Sequence, residues 1–275
     1  MAVPSLRPVV INPTSAIGLG AAALAAGLVN ALAGGGSLLS FPALTAAGLP
    51  ALVANLTNTV ALIPGHLGAI LGQRQQLQSQ TKRLASLLPA AGLGGLVGAL
   101  LLLNTSERLF YSLVPWLLLL GSGLLWAQPS LRRWIGQRLQ RQGRNTLSEN
   151  HAILPVLLAS IYGGYFGAGL GVILLAVLAL TLEDSITRLN GLKQALSLAS
   201  NSTAACVFVG SGQVQWGAAV LMAAGAVVGG ALGGKLAGKV NPDTLRTLVV
   251  IVGVSLALFY FGKLGYFGKL GYFGR

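Results

Sequence analysis

The sequence predicts an all-α integral membrane protein of about eight transmembrane helices in two repeats, each repeat carrying a glycine-broken or re-entrant segment. The first observation is composition: 54% of the 275 residues are hydrophobic and only 8% are charged, too few polar groups to cover a globular surface in water. The second is that charged residues are absent from residues 8–73, 84–106, 150–182 and 194–234. A spanning helix takes roughly 20 apolar residues, so runs of this length hold one or more spans. A soluble helix would show a charged face within a turn or two. The third is that the cations gather in the segments that join these runs.

The apolar runs fall at 17–33, a short broken piece at 37–47, then 52–72, 84–103 and 109–127, which makes residues 1–127 a first repeat of about four spans. Residues 128–151 form a basic linker. A second repeat of about four spans, 152–262, contains runs at 152–182, 189–210, 217–234 and 245–262, and a low-complexity tail follows at 263–275. The tail alternates Tyr-Phe-Gly with Lys-Leu-Gly, and its aromatics and lysines suit an interfacial anchor as well as a segment without a role.

Each half opens on an apolar segment interrupted by glycine and continues into a helix dotted with polar residues. Gly34, Gly35, Gly36 and Ser37 precede Asn55, Thr57, Asn58 and Thr59; Gly163, Gly164, Gly167, Gly169 and Gly171 precede Asn190, Lys193, Gln194 and Asn201. Unwound backbone is tolerated in lipid only where it is buried in protein or lines a cavity, and paired interruptions of this kind mark transporter binding sites. If each broken segment crosses once, the halves hold four spans; if twice, they hold five and the repeats are inverted. The cations near Lys235 and in the tail weigh equally on both counts.

A net charge of +13 would suit nucleic acid, but its distribution follows membrane topology, and no nucleic-acid partner is expected. Residues 73–83 carry Arg74, Lys82 and Arg83 without an acid; residues 128–151 carry Arg132, Arg133, Arg138, Arg141 and Arg144 against Glu149. Two spans separate these loops, so both lie on one side, which the positive-inside rule makes cytoplasmic. Cys206 is the single cysteine, which excludes an intrachain disulfide or thiolate cluster. Arg7, the apolar stretch to Val29 and Ala31-Leu32-Ala33 imitate a cleaved signal peptide; the triple glycine that follows reads instead as part of a functional motif, so the segment is kept.

From Ala26 to Leu44 the chain reads AGLVNALAGGGSLLSFPAL, followed by Gly48-Leu49-Pro50 and Ala54-Asn55-Leu56-Thr57-Asn58. This resembles the glycine-rich signature of the sulfite exporter TauE/SafE family, also described as toluene-sulfonate uptake permeases. The second half resembles the family more loosely, through Gly163 to Gly171, Asn190-Gly191-Leu192-Lys193 and Ser200-Asn201. The resemblance implies a permease of the bacterial inner (plasma) membrane that moves small sulfur-containing anions such as sulfite or organosulfonates. Asn30 departs from the pattern, since similar members carry an aspartate there and another near Gly163; proton coupling through such an acid is in doubt.

The residues themselves also favour an anion. A helix that starts after Gly36 directs unpaired amides and its positive dipole end at a ligand, and three consecutive glycines break a helix more than packing requires. Gly34, Gly35, Gly36, Ser37, Gly167, Gly169 and Gly171 are therefore candidate substrate contacts. Gly92, Gly94, Gly95, Gly98, Gly225, Gly229, Gly230, Gly233 and Gly234 read instead as surfaces for tight helix packing. Lys193 either pairs with the substrate or snorkels to the interface. His66 is a candidate donor whose ordinary identity is a satisfied packing histidine. Asn55, Thr57, Asn58, Asn190 and Asn201 are candidate neutral hydrogen-bond partners for substrate oxygens, although such residues commonly bond helix to helix. Glu183 and Asp184 read as a solvated turn.

The sequence therefore points to a secondary transporter whose partners are a small anionic substrate and the lipid bilayer, with a homo-oligomer left open. No cofactor, metal site or nucleophile-base pair is indicated, which argues against an enzyme. The competing reading is a non-transporting membrane scaffold whose glycine faces receive other helices.

Overall fold

The computed structural model describes residues 12–141, 149–236 and 243–269, and among them every regular element is helical. The first half contributes α1 (Pro13–Leu32), α2 (Ser37–Ala46), α3 (Ala51–Gly72), α4 (Thr81–Leu103) and α5 (Glu107–Arg141). The second contributes α6 (Ile153–Tyr165), α7 (Leu170–Thr181), α8 (Ile186–Gly210), α9 (Trp216–Leu236) and α10 (Asp243–Lys269). Among the described residues, five stretches are long and apolar enough to cross a membrane: Ser15–Leu32 in α1, Thr81–Leu103 in α4, Glu107–Leu131 in α5, Trp216–Leu236 in α9 and Arg246–Gly265 in α10. Large apolar side chains on the outer surface, among them Leu71, Leu101, Trp126, Val220 and Ile251, are exposed, as a lipid-facing surface requires.

The sequence expected about eight spans, and the structure divides the apolar runs differently. The run at 152–182 becomes two helices of 13 and 12 residues, each near 20 Å at 1.5 Å per residue and short of a ~30 Å hydrocarbon core. α3 and α8 have the length of spans but carry their polar residues inward, where Asn55, Asn58, Asn190, Lys193 and Gln194 are buried. The helix α5 runs through the start of the expected linker to Arg141, and α10 continues into the expected tail as far as Lys269. Residues 142–148 of the linker and 270–275 of the tail lie outside the described residues.

Both breaks are built alike. The amides of Ala33 and Gly34 return to the Val29 carbonyl at 2.7 and 2.9 Å, and those of Phe166 and Gly167 return to the Tyr162 carbonyl at 3.0 and 3.3 Å. Gly34 has φ +83° and Gly167 φ +79°, the left-handed conformation that glycine alone adopts at little cost when it ends a helix.

After each break the chain folds back. α1 runs parallel to α9, with Gly20, Leu24 and Leu28 against Gly225, Gly229 and Gly233; past its end, Gly36 lies against Ala26. α6 runs parallel to α4, Leu157 and Ile161 meeting Gly94 and Gly98. From the tip α7 returns to the end where α6 began, since Asp184 beyond it pairs with Arg83 of α4 at 2.6 Å.

The helices pack in a pattern that survives exchange of α1–α5 with α6–α10. α9 lies against α1 and α3, while α4 lies against α6 and α8; α2 meets α10 and α7 meets α5; α3 meets α8 and α5 meets α10. Glycine makes the closest of these contacts possible. A side chain at Gly95 or Gly98 would strike backbone of α8 or α6, and one at Gly230 or Gly234 would strike backbone of α3. In a bilayer, where burial of apolar surface gives no drive between helices, such close backbone approach supplies the dispersion contact that holds them.

Two ends of the bundle follow from these contacts. One collects the 3₁₀ turn Arg74–Leu77, the start of α4, the α7–α8 turn and the end of α9, with Lys235 beside Gly72. The other collects the α4–α5 turn and the α8–α9 turn, where the Gln215 amide donates to Thr57 Oγ1 at 3.1 Å and Tyr165 reaches Thr105.

Candidate functional site

The two backbone breaks meet inside the protein. Gly34 lies against the backbone of Gly171, so close that a β-carbon on either would collide with the other. Beside this contact is a cavity of about 20 Å³ lined by Asn30, Gly34 and Ser37 of the first break and by Phe166, Gly167, Leu170 and Gly171 of the second. The long helices contribute Thr59, Leu62 and His66 from α3 and Lys193, Gln194, Ser197 and Asn201 from α8. A volume of that size holds about one water, so the space is smaller than a tetrahedral oxyanion.

The start of α2 and the start of α7 both border the cavity, through Ser37 and through Leu170 and Gly171. Neither start carries a side-chain cap, the cap positions being Gly36 and Gly169. Their partial positive charge therefore falls on the cavity. The Gly36 amide is already used: it donates to Asn30 Oδ1 at 2.7 Å. The neutral amide of Asn30 thus closes the first turn of α2 and leaves the cavity without a carboxylate among its lining residues.

Lys193 is 1% exposed, which excludes snorkelling to the interface. It reaches the end of α1, where Nζ donates to the Asn30 carbonyl at 3.4 Å. A helix C-terminus presents the negative end of its dipole, so α1 holds the Lys193 ammonium nitrogen at the cavity wall. Gln194 reinforces the same end, Nε2 donating to the carbonyls of Asn30 at 3.0 Å and Ala31 at 3.2 Å.

His66 sits in a chain of amides. Asn201 Nδ2 lies 3.0 Å from His66 Nε2, and His66 Nδ1 lies 3.3 Å from Gln194 Oε1. An amide nitrogen can only donate, so Nε2 accepts, and the ring proton, assigned from this network, is on Nδ1 and points to Gln194. The histidine lines the cavity with both ring nitrogens engaged by protein, as a satisfied packing histidine does.

Half of the residues singled out from sequence surround the cavity: Gly34, Ser37, His66, Gly167, Gly171, Lys193 and Asn201. The others stand behind it. Gly35 packs on Leu125, and Gly169, at φ +81°, packs on Gly121. Gly36 serves the Asn30 bond, and Thr57 accepts from Gln215. Asn55 Nδ2 donates to the Tyr165 carbonyl at 3.0 Å, and Asn190 Nδ2 donates to the Ala31 carbonyl at 3.3 Å and to Gln73 Oε1 at 2.7 Å. Asn58 is buried, and its Oδ1 has no hydrogen-bond partner among the described residues.

Sequence reasoning did not single out Asn30, Thr59, Leu62, Phe166, Leu170, Gln194 and Ser197 as contacts. Spacing offered a signal for some of them: Thr59, Leu62 and His66 share one face of α3, and Gln194, Ser197 and Asn201 share one face of α8, each at helical intervals of three and four. Glu183 and Asp184 are more than a solvated turn, because Asp184 joins Arg83 at 2.6 Å and Arg188 at 3.0 Å. Burial alone would raise the Asp184 carboxyl, but hydrogen bonds from Arg188, Arg83 and the Ser185 amide outweigh it and hold the group below its ordinary range.

The family model for the sulfite exporter TauE/SafE matches residues 19–260. A probable membrane transporter protein of Haemophilus influenzae is 26% identical over 231 residues, covering 84% of this chain and 88% of its own. The probable membrane transporter protein ORF9 of a Sinorhizobium species is 25% identical, covering 86% and 88%, and the probable membrane transporter protein YfcA of Escherichia coli K12 is 25% identical, covering 86% and 85%. No solved structure matches.

Proposed function

The chain belongs to the sulfite exporter TauE/SafE family of membrane transporters, and from that premise we propose that it is a secondary transporter of small, sulfur-containing anions such as sulfite or organosulfonates. The observation that carries the reading is the cavity itself, which combines one buried lysine, two helix N-termini and neutral donors with no lining carboxylate. Such a wall favours negative charge beside Lys193 and the two helix starts. Its small volume fits an occluded form that opens to one side at a time.

We read the architecture as two inverted repeats. Each consists of a re-entrant hairpin, α1–α2 or α6–α7, followed by three crossings, α3–α5 or α8–α10. The fold-back of each hairpin and the exchangeable packing pattern support this count. With three crossings per repeat, Lys235 and Arg246 fall at the same end as Arg74, Lys82 and Arg83, while the tail beyond Leu264 falls at the end of the α4–α5 turn, so the cations of the second half remain balanced. The positive-inside rule then makes that end, with the 73–83 loop and the linker, cytoplasmic, in the bacterial inner membrane that the family resemblance implies.

The test is reconstitution of the purified protein in vesicles, with sulfite, thiosulfate, sulfonates and carboxylates offered with and without a proton gradient. Lys193→Ala is expected to lower anion flux at least about tenfold, the effect of losing one buried charge-assisted contact, while membrane insertion is kept. Equal flux by the two proteins sinks the assigned site. Absence of flux from the parent chain, together with a stable co-purifying partner, would favour the scaffold reading instead.

A further inference from the structure

Asn55 and Asn190 occupy equivalent places: each is the fifth residue of its helix, α3 or α8. Each crosses to the opposite half and donates to a carbonyl in the last turn of a hairpin arm. Asn55 bonds Tyr165 of α6 at 3.0 Å, and Asn190 bonds Ala31 of α1 at 3.3 Å. These carbonyls lie past the last helical amides at the glycine breaks; Asn55 meets that of Tyr165, and Asn190 shares that of Ala31 with Gln194 Nε2, which donates at 3.2 Å. The two contacts lie toward opposite ends of the bundle, Asn190 beside Gln73 and the 3₁₀ turn, and Asn55 in the same first turns of α3 as Thr57, which bonds Gln215.

We propose that Asn55 and Asn190 are a matched pair of latches, each fastening one hairpin tip and so closing the cavity toward one side of the membrane. The idea rests on the transporter reading. Asn190 closes the cytoplasmic side by holding the α1 tip; Asn55 closes the outer side by holding the α6 tip. Each latch stands next to polar atoms that the closed form leaves unsatisfied. Among the described residues Asn190 Oδ1 and Gln73 Nε2 have no partner at one latch, and Asn58 Oδ1 has none near the other. Parting a latch admits water to these atoms, which offsets the lost bond, and the closed form is thereby poised for release. The paired geometry makes the sides mutually comparable, so each can open while the other stays fastened.

The experiment reads sidedness without any substrate. Cys206, the native cysteine, is exposed and is replaced by serine; Ser197→Cys then puts a reporter thiol on the cavity wall. Its modification by the membrane-impermeant anion sulfonatoethyl methanethiosulfonate is timed in vesicles of either orientation. Asn190→Ala is expected to speed labelling from the cytoplasmic side about three- to tenfold, and Asn55→Ala to do so from the opposite side, the range that follows from losing one net hydrogen bond. The proposal is overturned if folded variants shift labelling on the same side or on neither. If the alanine variants do not yield monodisperse protein, Asn55→Ser and Asn190→Ser, which keep a shorter donor, replace them. Loss of folded protein in both series assigns the asparagines to structure alone and ends the proposal. A failed transport reading gives a different result, with sided labelling intact and no anion flux in the parent chain.

Discussion

α3 and α8 are two versions of one helix, and the places where they differ tell more than those where they agree. Five positions into each stands an asparagine that bonds a hairpin carbonyl. Further along, Thr59, Leu62 and His66 of α3 occupy the positions that Gln194, Ser197 and Asn201 hold in α8, and all six line the cavity. Three residues after the asparagine the likeness ends: α3 has Asn58 and α8 has Lys193, both buried. The asparagine and the cavity-facing positions are common to both helices, and the charge is not. One lysine serves a site that two halves build, so the site is polar on both sides of its axis and cationic on one.

The strongest way to break this comparison is to make it complete. Asn58→Lys puts a second cation at the equivalent place, and an uncompensated buried charge costs about 3–5 kcal/mol. The expected outcome is a large loss of folded protein, read as monodisperse material in detergent and as thermal stability. Unchanged stability would mean that the α6 end can hold a lysine as the α1 end does. A smaller change sharpens the contrast by adding an acid. Asn30→Asp keeps the acceptor for the Gly36 amide and places a titratable carboxylate next to Lys193. An ionised acid there repels an anion and a protonated one does not, so flux should gain a slope, rising as pH falls toward about 4. A slope identical to that of the parent chain would show that residue 30 does not face the anion. The smallest effect is expected away from the cavity, at Asp184. Its carboxyl is held low in the folded protein, so its stabilising contribution is present at neutral pH and fades as pH drops below about 4, through the folded value. Asp184→Asn should cost about 1 kcal/mol or less at pH 7, and the difference in unfolding temperature should shrink under acid.

The fold was legible where the chain lacks charge. Runs without Asp, Glu, Lys or Arg announced helices in lipid, and the basic segments announced their connections. The turn-backs were hidden because a run such as 152–182 looks the same whether it crosses once or folds at Gly167; the deciding contacts, Asp184 with Arg83 among them, join residues 101 apart in sequence. The expected linker begins within α5, since arginines on a helix look like a loop when judged by charge. Within the site, Gly34, Gly167, Lys193 and His66 stood out because each is costly in a spanning helix without a purpose. Leu62, Phe166 and Leu170 carry no such mark and are indistinguishable from packing residues until the fold places them. Asn55 and Asn190 were noticed for their amide chemistry, and in the structure their amides face the backbone carbonyls of Tyr165 and Ala31 at the helix breaks.

The meeting of Gly34 with Gly171 has an electrical consequence. Under the transporter reading proposed above, solvated paths from the two sides would end at this backbone contact, the membrane voltage would drop across it, and an anion passing it would exchange about 2.3 kcal/mol with each 100 mV.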